Sequence, residues 1–568
     1  MNLARRAPWR DPLTALLVVA LGLRLVGLTW GLPASDGWDD DGVAPRDFLV
    51  GVVDTYAWGH HATYPPLQMV LLTIATAPVW ISALLRAPSL APAAVVGTFI
   101  QVPTMTALAV VARSATLAMS LGILWNAAKI GETLRGSRRA GVWAASCCAV
   151  NAIFTYYSQT SNLDVPYLFW AVLAIRRLVQ AIAGREPRSL RSAMLFAALA
   201  VCTKDQAYAL FLLSVPIALG AWVLVDPPAR PLGRSIAANL AAGAVAGFAL
   251  VLVVDGALFN PTGFAARVHF LVGSASQDHA MYTASAAGYA HVVRDVALGL
   301  GRSYPLAVAP LVLVGLAASW RASGSARRAA GLVPALVAVS FTLAFDVAAR
   351  RTEDRFVLPQ TLMCGLYAGI GCDALQTWLG PRRLGVFAAA VALAFVPAIY
   401  RCAAVDAAML FDPRYDAERW LREHVEPDAR LEVYDNNAHL PRLPPGIAAE
   451  RVDVTAPSAR SPMPGLTEIC DRFSNVGARD PRFILVSQFW AYKYLLEPKV
   501  LADLGRALSP QQEAARLDSD STRYFRDLHE SRLGYRLVHV ASPATGFWPI
   551  VDIHASLDRE IWIYERER

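Results

Sequence analysis

Three consecutive aspartates, Asp39, Asp40 and Asp41, follow the first apolar stretch of the chain, which runs from about residue 13 to 33. As a helix, that stretch is long enough to cross a bilayer. Neighbouring carboxylates repel one another and resist entering lipid, so we expect them in the membrane interface or in a polar cavity. Carboxylates in such a place can act as a general base or as metal ligands. The alternative interpretation is a solvated acidic cap that only fixes the outer loop.

The composition is that of a polytopic membrane protein. Of the 568 residues, 55% are hydrophobic and 17% are charged, and the mean hydropathy is +0.38. Soluble domains carry about a quarter charged residues. Much of the net charge of +7 is arginine in short loops, where it sets topology, so no nucleic-acid partner is expected.

The apolar stretches end at about residue 401. The sequence therefore predicts a polytopic α-helical membrane domain over 1–401 and a soluble α/β domain over 402–568. About eleven transmembrane helices are expected, at about 13–33, 106–128, 140–158, 165–182, 191–204, 207–225, 234–255, 304–320, 330–348, 357–374 and 384–401.

The positive-inside rule assigns the topology. Arginines before the first span and in alternate loops predict a cytoplasmic N-terminus, if the apolar stretch 67–85 is re-entrant or lies on the outer surface. The soluble domain is then extracytoplasmic, and the protein is a multi-pass protein of the cell inner (plasma) membrane.

Most ionisable residues then fall in outward loops, chiefly the first outer loop, about 34–105, and a long outer loop, about 256–303. The span centres are almost free of charge, whereas a transporter is expected to bury ionisable groups near mid-span. Carboxylates beside Arg and Lys on the outer face suit transfer of a group from a phosphate-bearing lipid, because the cations can neutralise the leaving phosphate.

Several motifs resemble those of one enzyme superfamily. The chain resembles the GT-C glycosyltransferases of the protein O-mannosyltransferase and aminoarabinose transferase group, which use polyprenyl-phosphate sugars. The motifs that carry this resemblance are Gly31-Leu32-Pro33 before the aspartate run, Tyr64-Pro65-Pro66-Leu67, Ala112-Arg113-Ser114, Leu134-Arg135-Gly136, the stretch 156–166 with Asp164 and Pro166, Thr203-Lys204, and Arg355-Phe356-Val357-Leu358-Pro359.

The resemblance implies roles for single residues. Asp39 or Asp40 takes the catalytic place, and Asp41 stands where the family usually has Glu. Asp164 is implied as the second functional carboxylate. Lys204 and Arg355 are implied as phosphate contacts, and we predict Arg46 and Tyr64 as further substrate contacts.

Each of the later positions has a plainer interpretation. Asp164 could cap the helix that begins at Val165, and Lys204 could be an interfacial lysine whose amine reaches the lipid surface. Arg355 could form a loop salt bridge with Glu353 or Asp354.

The predicted activity is glycosyl transfer by a hexosyl- or pentosyltransferase, inverting if the displacement is direct. The donor is a polyprenyl-phosphate sugar, membrane lipids surround the spans, and the acceptor is a lipid, a protein or a polysaccharide. A divalent metal ion is a possible cofactor, but His60 and His61 have no partner at ligand spacing, so the metal ligands stay unknown. The alternatives are a transporter or flippase of lipid-linked sugars, and a non-catalytic assembly or sensor protein.

The soluble domain shows alternating elements. An amphipathic helix is predicted at 412–425, strands at 431–434, 483–486, 535–540 and 561–564, and helices near 499–508 and 522–528. Asp435-Asn436-Asn437 with His439 is either a turn or a ligand loop. We expect this domain to cover the outer opening or to help bind the acceptor.

Overall fold

The computed structural model describes residues 11–34, 37–40, 42–43, 47–273, 279–457, 463, 465–496, 519–543, 554 and 556–567. These residues form two compact units. The membrane unit comprises Met1–Leu28, Arg46–Ala77 and Val111–Asp406, and the C-terminal unit comprises Thr29–Pro45, Pro78–Val110 and Ala407–Arg568. The domain boundary predicted at residue 401 stays a prediction.

Helices dominate the chain. They are α1 (Pro12–Arg24), α2 (Asp47–Tyr56), α3 (Leu67–Ala75), α4 (Ala77–Arg86), α5 (Pro92–Phe99), α6 (Val102–Arg135), α7 (Arg138–Ala149), α8 (Ala152–Tyr157), α9 (Asp164–Ala183), α10 (Pro187–Val201), α11 (Tyr208–Leu212), α12 (Ser214–Val225), α13 (Arg230–Val254), α14 (Pro261–Val272), α15 (Ala286–Ser303), α16 (Ala309–Trp320), α17 (Ser325–Ala330), α18 (Val333–Phe341), α19 (Leu358–Leu379), α20 (Leu384–Leu410), α21 (Pro413–His424), α22 (Val476–Arg479), α23 (Gln488–Leu495) and α24 (Asp520–His529).

The described part of the chain confirms a polytopic helical protein but contains fewer spans than predicted. Seven helical segments are long and apolar enough to cross a membrane, or up to nine if each of two bent helix pairs is one span. The total of about eleven spans stays a prediction. The predicted span 140–158 is divided into α7 and α8, because Asn151 begins a new helix by accepting a hydrogen bond from the backbone N–H of Phe154.

Two bends lie within apolar stretches. The predicted outer-surface stretch 67–85 forms α3 and α4, which meet at 63°. The predicted span 304–320 is the second half of a pair bent by 89°. A bent pair of short helices is compatible with a re-entrant hairpin, as predicted for 67–85, and with a broken span; the topology stays a prediction.

Helix α19 follows the residues that form the candidate site, and it packs through glycines. A Cβ on Gly369 would lie 2.4 Å from the Cα of Ala144 in α7, and one on Gly371 would lie 2.0 Å from the backbone oxygen of Leu311 in α16. Small residues allow helix backbones to approach closely in a membrane, where dispersion forces drive helix association. These contacts fix the start of α19 relative to its neighbours.

The C-terminal unit contains a six-stranded sheet. Its strands are β1 (Arg430–Tyr434), β2 (Ala448–Asp453), β3 (Leu466–Cys470), β4 (Phe483–Ser487), β5 (Tyr535–Ala541) and β6 (Ile561–Arg566), in the order β3-β2-β1-β4-β6-β5. The first four strands are parallel, and β6 pairs antiparallel with both β4 and β5. Apolar clusters cover both faces, with α21 on one and α24 on the other. The predicted α/β class is confirmed.

Most predicted elements of this unit are present. The four predicted strands correspond to β1, β4, β5 and β6, and the predicted helices at 412–425 and 522–528 correspond to α21 and α24. Strands β2 and β3 were missed because Glu450, Arg451 and Glu468 interrupt the apolar pattern. The predicted helix near 499–508 lies outside the described residues.

A buried ion pair in the sheet gives a test of this fold. Glu432 in β1 is 0% exposed, and Arg479 binds its two carboxylate oxygens through Nε and Nη2, both at 2.9 Å. Glu432→Gln should lower the free energy of unfolding of this unit by about 3 kcal/mol, because it removes the fully buried partner of Arg479 and leaves only Asp471, whose side chain is 29% exposed, as counter-charge. Pulse proteolysis of the full-length protein in urea measures this.

The matched control is Glu450→Gln. Glu450 pairs with Arg430 at 3.2 Å on the surface, with side-chain exposures of 22% and 48%. We expect this change to cost under about 1 kcal/mol. Equal urea midpoints for the two variants would contradict the role given to the buried pair.

Candidate functional site

Three cationic side chains lie around one buried phenylalanine in the membrane unit. The Lys204 Nζ is 5.5 Å from the centroid of the Phe356 ring, and the Cζ atoms of Arg351 and Arg355 are 5.0 and 5.1 Å from it. Phe356 is only 2% exposed, so its ring is fixed. Its π-system attracts cations. We call Phe356, Lys204, Arg351 and Arg355 the Phe356 cluster.

The turn Asp354–Val357 positions the aromatic ring of the cluster. It is a short 3₁₀ helix directly before α19. One residue of this turn is held by a neighbouring helix, since Arg302 at the end of α15 donates to Asp354 at 2.6 Å. The cluster therefore lies between a well-packed helix and a restrained loop.

Lys204 enters the cluster through a buried ion pair. Its Nζ donates to Oδ1 of Asp164 at 2.6 Å, and the two residues are 5% and 2% exposed. Asp164 is the first residue of α9, but Leu163 occupies the cap position and no side chain caps that helix. The structure therefore supports neither of the plainer interpretations: Asp164 does not cap α9, and Lys204 is buried. Asp164 instead holds the lysine in place.

Glu353 connects the two arginines. Its Oε1 accepts from Nη2 of Arg351 at 2.7 Å, and its Oε2 accepts from Nη2 of Arg355 at 2.8 Å. The loop salt bridge foreseen for Arg355 is therefore present. The two guanidinium side chains keep 20% and 17% of their surface exposed.

The cluster brings cations and carboxylates together. Three cations lie around the ring, and the carboxylates of Asp164 and Glu353 pair with them. Arginine presents a planar fork of donors that matches phosphate, and a low-dielectric surrounding strengthens each contact. This arrangement can bind a phosphate ester and stabilise negative charge that develops on it.

A second buried network is linked to the cluster by the backbone, because one of its members directly follows Lys204 in the sequence. Asp205, next to Lys204, accepts from Nη2 of Arg267, and the Nη1 of the same guanidinium lies 3.3 Å from Asp255. Burial raises the pKa of the Asp255 carboxyl to about 6, although Arg267 opposes the shift. The turn after α10 is thus tied to α14 as well as to α9. This network keeps Lys204 directed at Phe356.

The predicted base residues belong to the C-terminal unit. Asp39 is 8% exposed, whereas 40% of the Asp40 side chain is exposed. The backbone N–H of Asp40 donates to Oγ of Ser556 at 3.0 Å. Trp38, one residue before the pair, is 1% exposed and lies under the guanidinium of Arg414, with 4.4 Å between Cζ and the ring centroid. The first outer loop is therefore anchored by the start of α21.

Three predicted site residues fall elsewhere. Asp41 and Arg46 lie outside the described residues. Tyr64 lies in the membrane unit, in the turn before α3, and is 41% exposed. Their roles as catalytic residue and substrate contacts stay predictions.

The part of the chain that the structure describes contains no set of ligands for a metal ion. There, no three His, Cys, Asp or Glu side chains group closely enough to hold a metal ion. His60 lies 3.5 Å from Asp54 on the surface, with 65% of its side chain exposed. Metal dependence stays a prediction, and we derive no step through a metal.

Two members of the described networks were not assigned to the site from the sequence. Arg351 belongs to an Arg-Arg pair directly after an apolar stretch, where a topological role explains the charge equally well. Arg267 was counted among the residues of a long outer loop but was not assigned a partner. Only the buried counter-charges, Asp205 and Asp255, distinguish it from a solvated arginine.

No protein-family model matches the chain, and no curated protein matches it in sequence. Among solved structures, ArnT from Cupriavidus metallidurans in the apo state aligns at 14% identity and a TM-score of 0.46 over 97% of each chain. The same protein bound to undecaprenyl phosphate aligns at 12% identity and a TM-score of 0.47, again over 97% of each chain. AglB, an oligosaccharyltransferase from Archaeoglobus fulgidus in complex with an inhibitory peptide and a dolichol-phosphate, aligns at 12% identity and a TM-score of 0.42. That alignment covers 84% of this chain and 69% of AglB. The function proposed below therefore depends on the contacts of this chain's own residues.

Proposed function

We propose that this chain is an integral-membrane glycosyltransferase that moves a hexose or pentose from a polyprenyl-phosphate donor to an acceptor on the extracytoplasmic side. The observation that supports this most directly is the Phe356 cluster, in which three cations lie around one buried ring. A lipid-borne phosphate has the charge and shape that the two guanidinium groups fit. The apolar helices of the membrane unit offer surface for a polyprenyl tail.

The proposed reaction is a single displacement. The oxygen of an acceptor hydroxyl attacks the anomeric carbon of the donor sugar, and the bond between that carbon and the phosphate oxygen breaks. The electron pair of that bond leaves with the polyprenyl phosphate, and the hydroxyl proton passes to a carboxylate. Because attack and departure occur on opposite faces of the anomeric carbon, the configuration there inverts.

The cations of the cluster accelerate this step by differential binding. The sugar ester of the phosphate carries one negative charge, and the departing polyprenyl phosphate gains a second. Hydrogen-bond donors that are already held in place bind the departing polyprenyl phosphate more strongly than the sugar ester, because it carries more negative charge. This difference lowers the barrier of the reaction. In this scheme Asp164 positions Lys204, and Glu353 holds Arg351 beside Arg355.

We assign the general base to Asp40. A base must reach the proton it removes, and the Asp40 carboxylate is far more exposed than the 8% exposed Asp39. Asp39 remains the alternative within the same run of aspartates. The acceptor is a lipid, a protein or a polysaccharide that carries a free hydroxyl.

The test is transfer by the purified protein in proteoliposomes. A polyprenyl-phosphate sugar labelled in the sugar is offered together with membrane lipid and polysaccharide acceptors. The proposal expects label in the acceptor and an equal amount of free polyprenyl phosphate. Passage of unchanged labelled lipid across the bilayer, without transfer, would instead identify the flippase alternative.

A further inference from the structure

The parallel part of the C-terminal sheet has a topological switch point. From β1 the chain continues to β2 on one side, and later returns to β4 on the other side. In open α/β sheets, ligands and reactive groups collect where the carboxyl ends of two such strands diverge. Asp435 directly follows β1 here, and Ser487 is the last residue of β4.

The residues at this point form a hydrogen-bonded chain. Ser487 donates through Oγ to Oδ2 of Asp435. The other carboxylate oxygen, Oδ1, lies 3.0 Å from Nδ1 of His439. Since an ionised carboxylate only accepts hydrogen bonds, Nδ1 must carry the proton, and Nε2 of the neutral imidazole is then an acceptor. The side chains of Asp435 and His439 are 0% and 2% exposed, so this tautomer is fixed in a buried setting.

The free end of the imidazole points at the proposed base. Nε2 of His439 lies 3.6 Å from Oδ1 of Asp40, and among the described residues it has no hydrogen-bond partner. The Phe489 ring, with its centroid 4.4 Å from that of the imidazole, restricts rotation of the ring. Once Asp40 has taken up a proton, a small shift of its carboxyl group would let it donate to Nε2 and complete the chain from Asp435 through His439 to Asp40.

We propose that His439 is the positioning residue for Asp40 and the next acceptor of its proton; this inference rests on the proposed function. The acceptor O–H bond breaks as the proton moves to the Asp40 carboxylate. The proton then passes to Nε2 of His439, and the resulting imidazolium is stabilised by Asp435, as in other carboxylate–histidine pairs. Release of the proton to water restores the starting state. In this proposal the Asp435–His439 segment is a functional loop.

The test removes the imidazole side chain by substitution and then supplies free imidazole in solution. His439→Gly should lower kcat for sugar transfer about 10²-fold, with the KM values for donor and acceptor within about threefold of wild type. Added imidazole should restore part of the lost kcat. Asp435→Asn, which no longer enforces the Nδ1–H tautomer, should lower kcat in the same direction. His439→Gln carries the test if the glycine variant does not fold, because glutamine reaches Asp40 but does not accept the proton.

The matched control is His539→Gln. His539 lies in the same unit and pairs with Asp416 at 2.9 Å. The variant therefore loses a comparable histidine–aspartate contact that does not involve Asp40. We expect its kcat to stay within about twofold of wild type.

Two results would overturn the inference. One is a kcat of the His439 variants equal to that of His539→Gln. The other is a loss of activity in a folded His439→Gly protein that imidazole does not relieve. If wild-type protein transfers sugar and Asp40→Asn does not, while the His439 variants are active, only this inference fails. If wild-type protein transfers no sugar, the proposed function fails first.

Discussion

Asp40→Asn is expected to lower kcat for sugar transfer about 10²–10⁴-fold, the range that loss of a general base produces. Asparagine keeps the size and much of the hydrogen bonding of the side chain, but it does not accept a proton from the acceptor hydroxyl. The KM for the polyprenyl-phosphate donor should change little, because the Phe356 cluster, in our account, binds its phosphate. Initial rates with purified protein at saturating donor measure the effect.

Asp39→Asn is the matched control for that prediction. Asp39 is the neighbouring carboxylate but is 8% exposed, so it is poorly placed to meet an acceptor hydroxyl. We expect it to retain more activity than Asp40→Asn. The reverse order of the two rates would move the base to position 39, and full activity in the double variant would remove both aspartates from the chemistry.

Arg355→Ala is expected to lower kcat about 10²–10³-fold, as loss of one donor to a developing negative charge does in other enzymes. The guanidinium group lies 5.1 Å from the Phe356 ring and is held by Glu353, so alanine removes a positioned donor without changing the helix that follows. Arg355→Lys should recover only part of the activity, since an ammonium lacks the planar fork. Single-turnover rates with bound donor separate this step from donor binding.

Arg302→Ala serves as the control for the cluster. Arg302 pairs with Asp354, the residue before Arg355, but it is not one of the three cations around the ring. Loss of the Arg302 side chain should weaken the turn Asp354–Val357 slightly and leave the rate of the chemical step within about tenfold of wild type. An equal fall in rate for Arg302→Ala and Arg355→Ala would show that the loop, and not the phosphate contact, controls the rate.

The fold class followed from composition and periodicity, but the bounds of individual helices did not. Long apolar runs predict helices reliably in lipid, because every backbone polar group must be satisfied within the segment. Runs such as 140–158 look continuous in hydropathy, yet Asn151 ends one helix and begins the next. A polar residue that ends one helix and caps the next is visible in the sequence, but its effect on the helices depends on the tertiary contacts around it.

The candidate site was predicted in part. Lys204 and Arg355 were assigned to the phosphate, and the structure places both at one ring, which no spacing in the sequence reveals because 150 residues separate them. Asp164 was predicted as a functional carboxylate, and its ion pair with Lys204 gives it a physical role.

His439 shows where sequence reasoning reaches its limit. Asp435-Asn436-Asn437 has the composition of a turn, and turn residues are common at the ends of strands. The feature that distinguishes His439 is its distance from Asp40, a residue about four hundred positions earlier in the chain. That proximity arises because the segment Thr29–Pro45, which contains Asp40, belongs to the same compact unit as the sheet.

The affinity of the purified protein for polyprenyl phosphate measures whether the Phe356 cluster binds a lipid-borne phosphate. We expect wild-type protein to bind this lipid, and the double variant Arg351→Ala/Arg355→Ala to lose at least about 30-fold in affinity, the lower end for truncating buried charged contacts. Arg302→Ala should bind like wild type. Equal affinities for wild-type protein and the double variant would show that the cluster does not bind the phosphate.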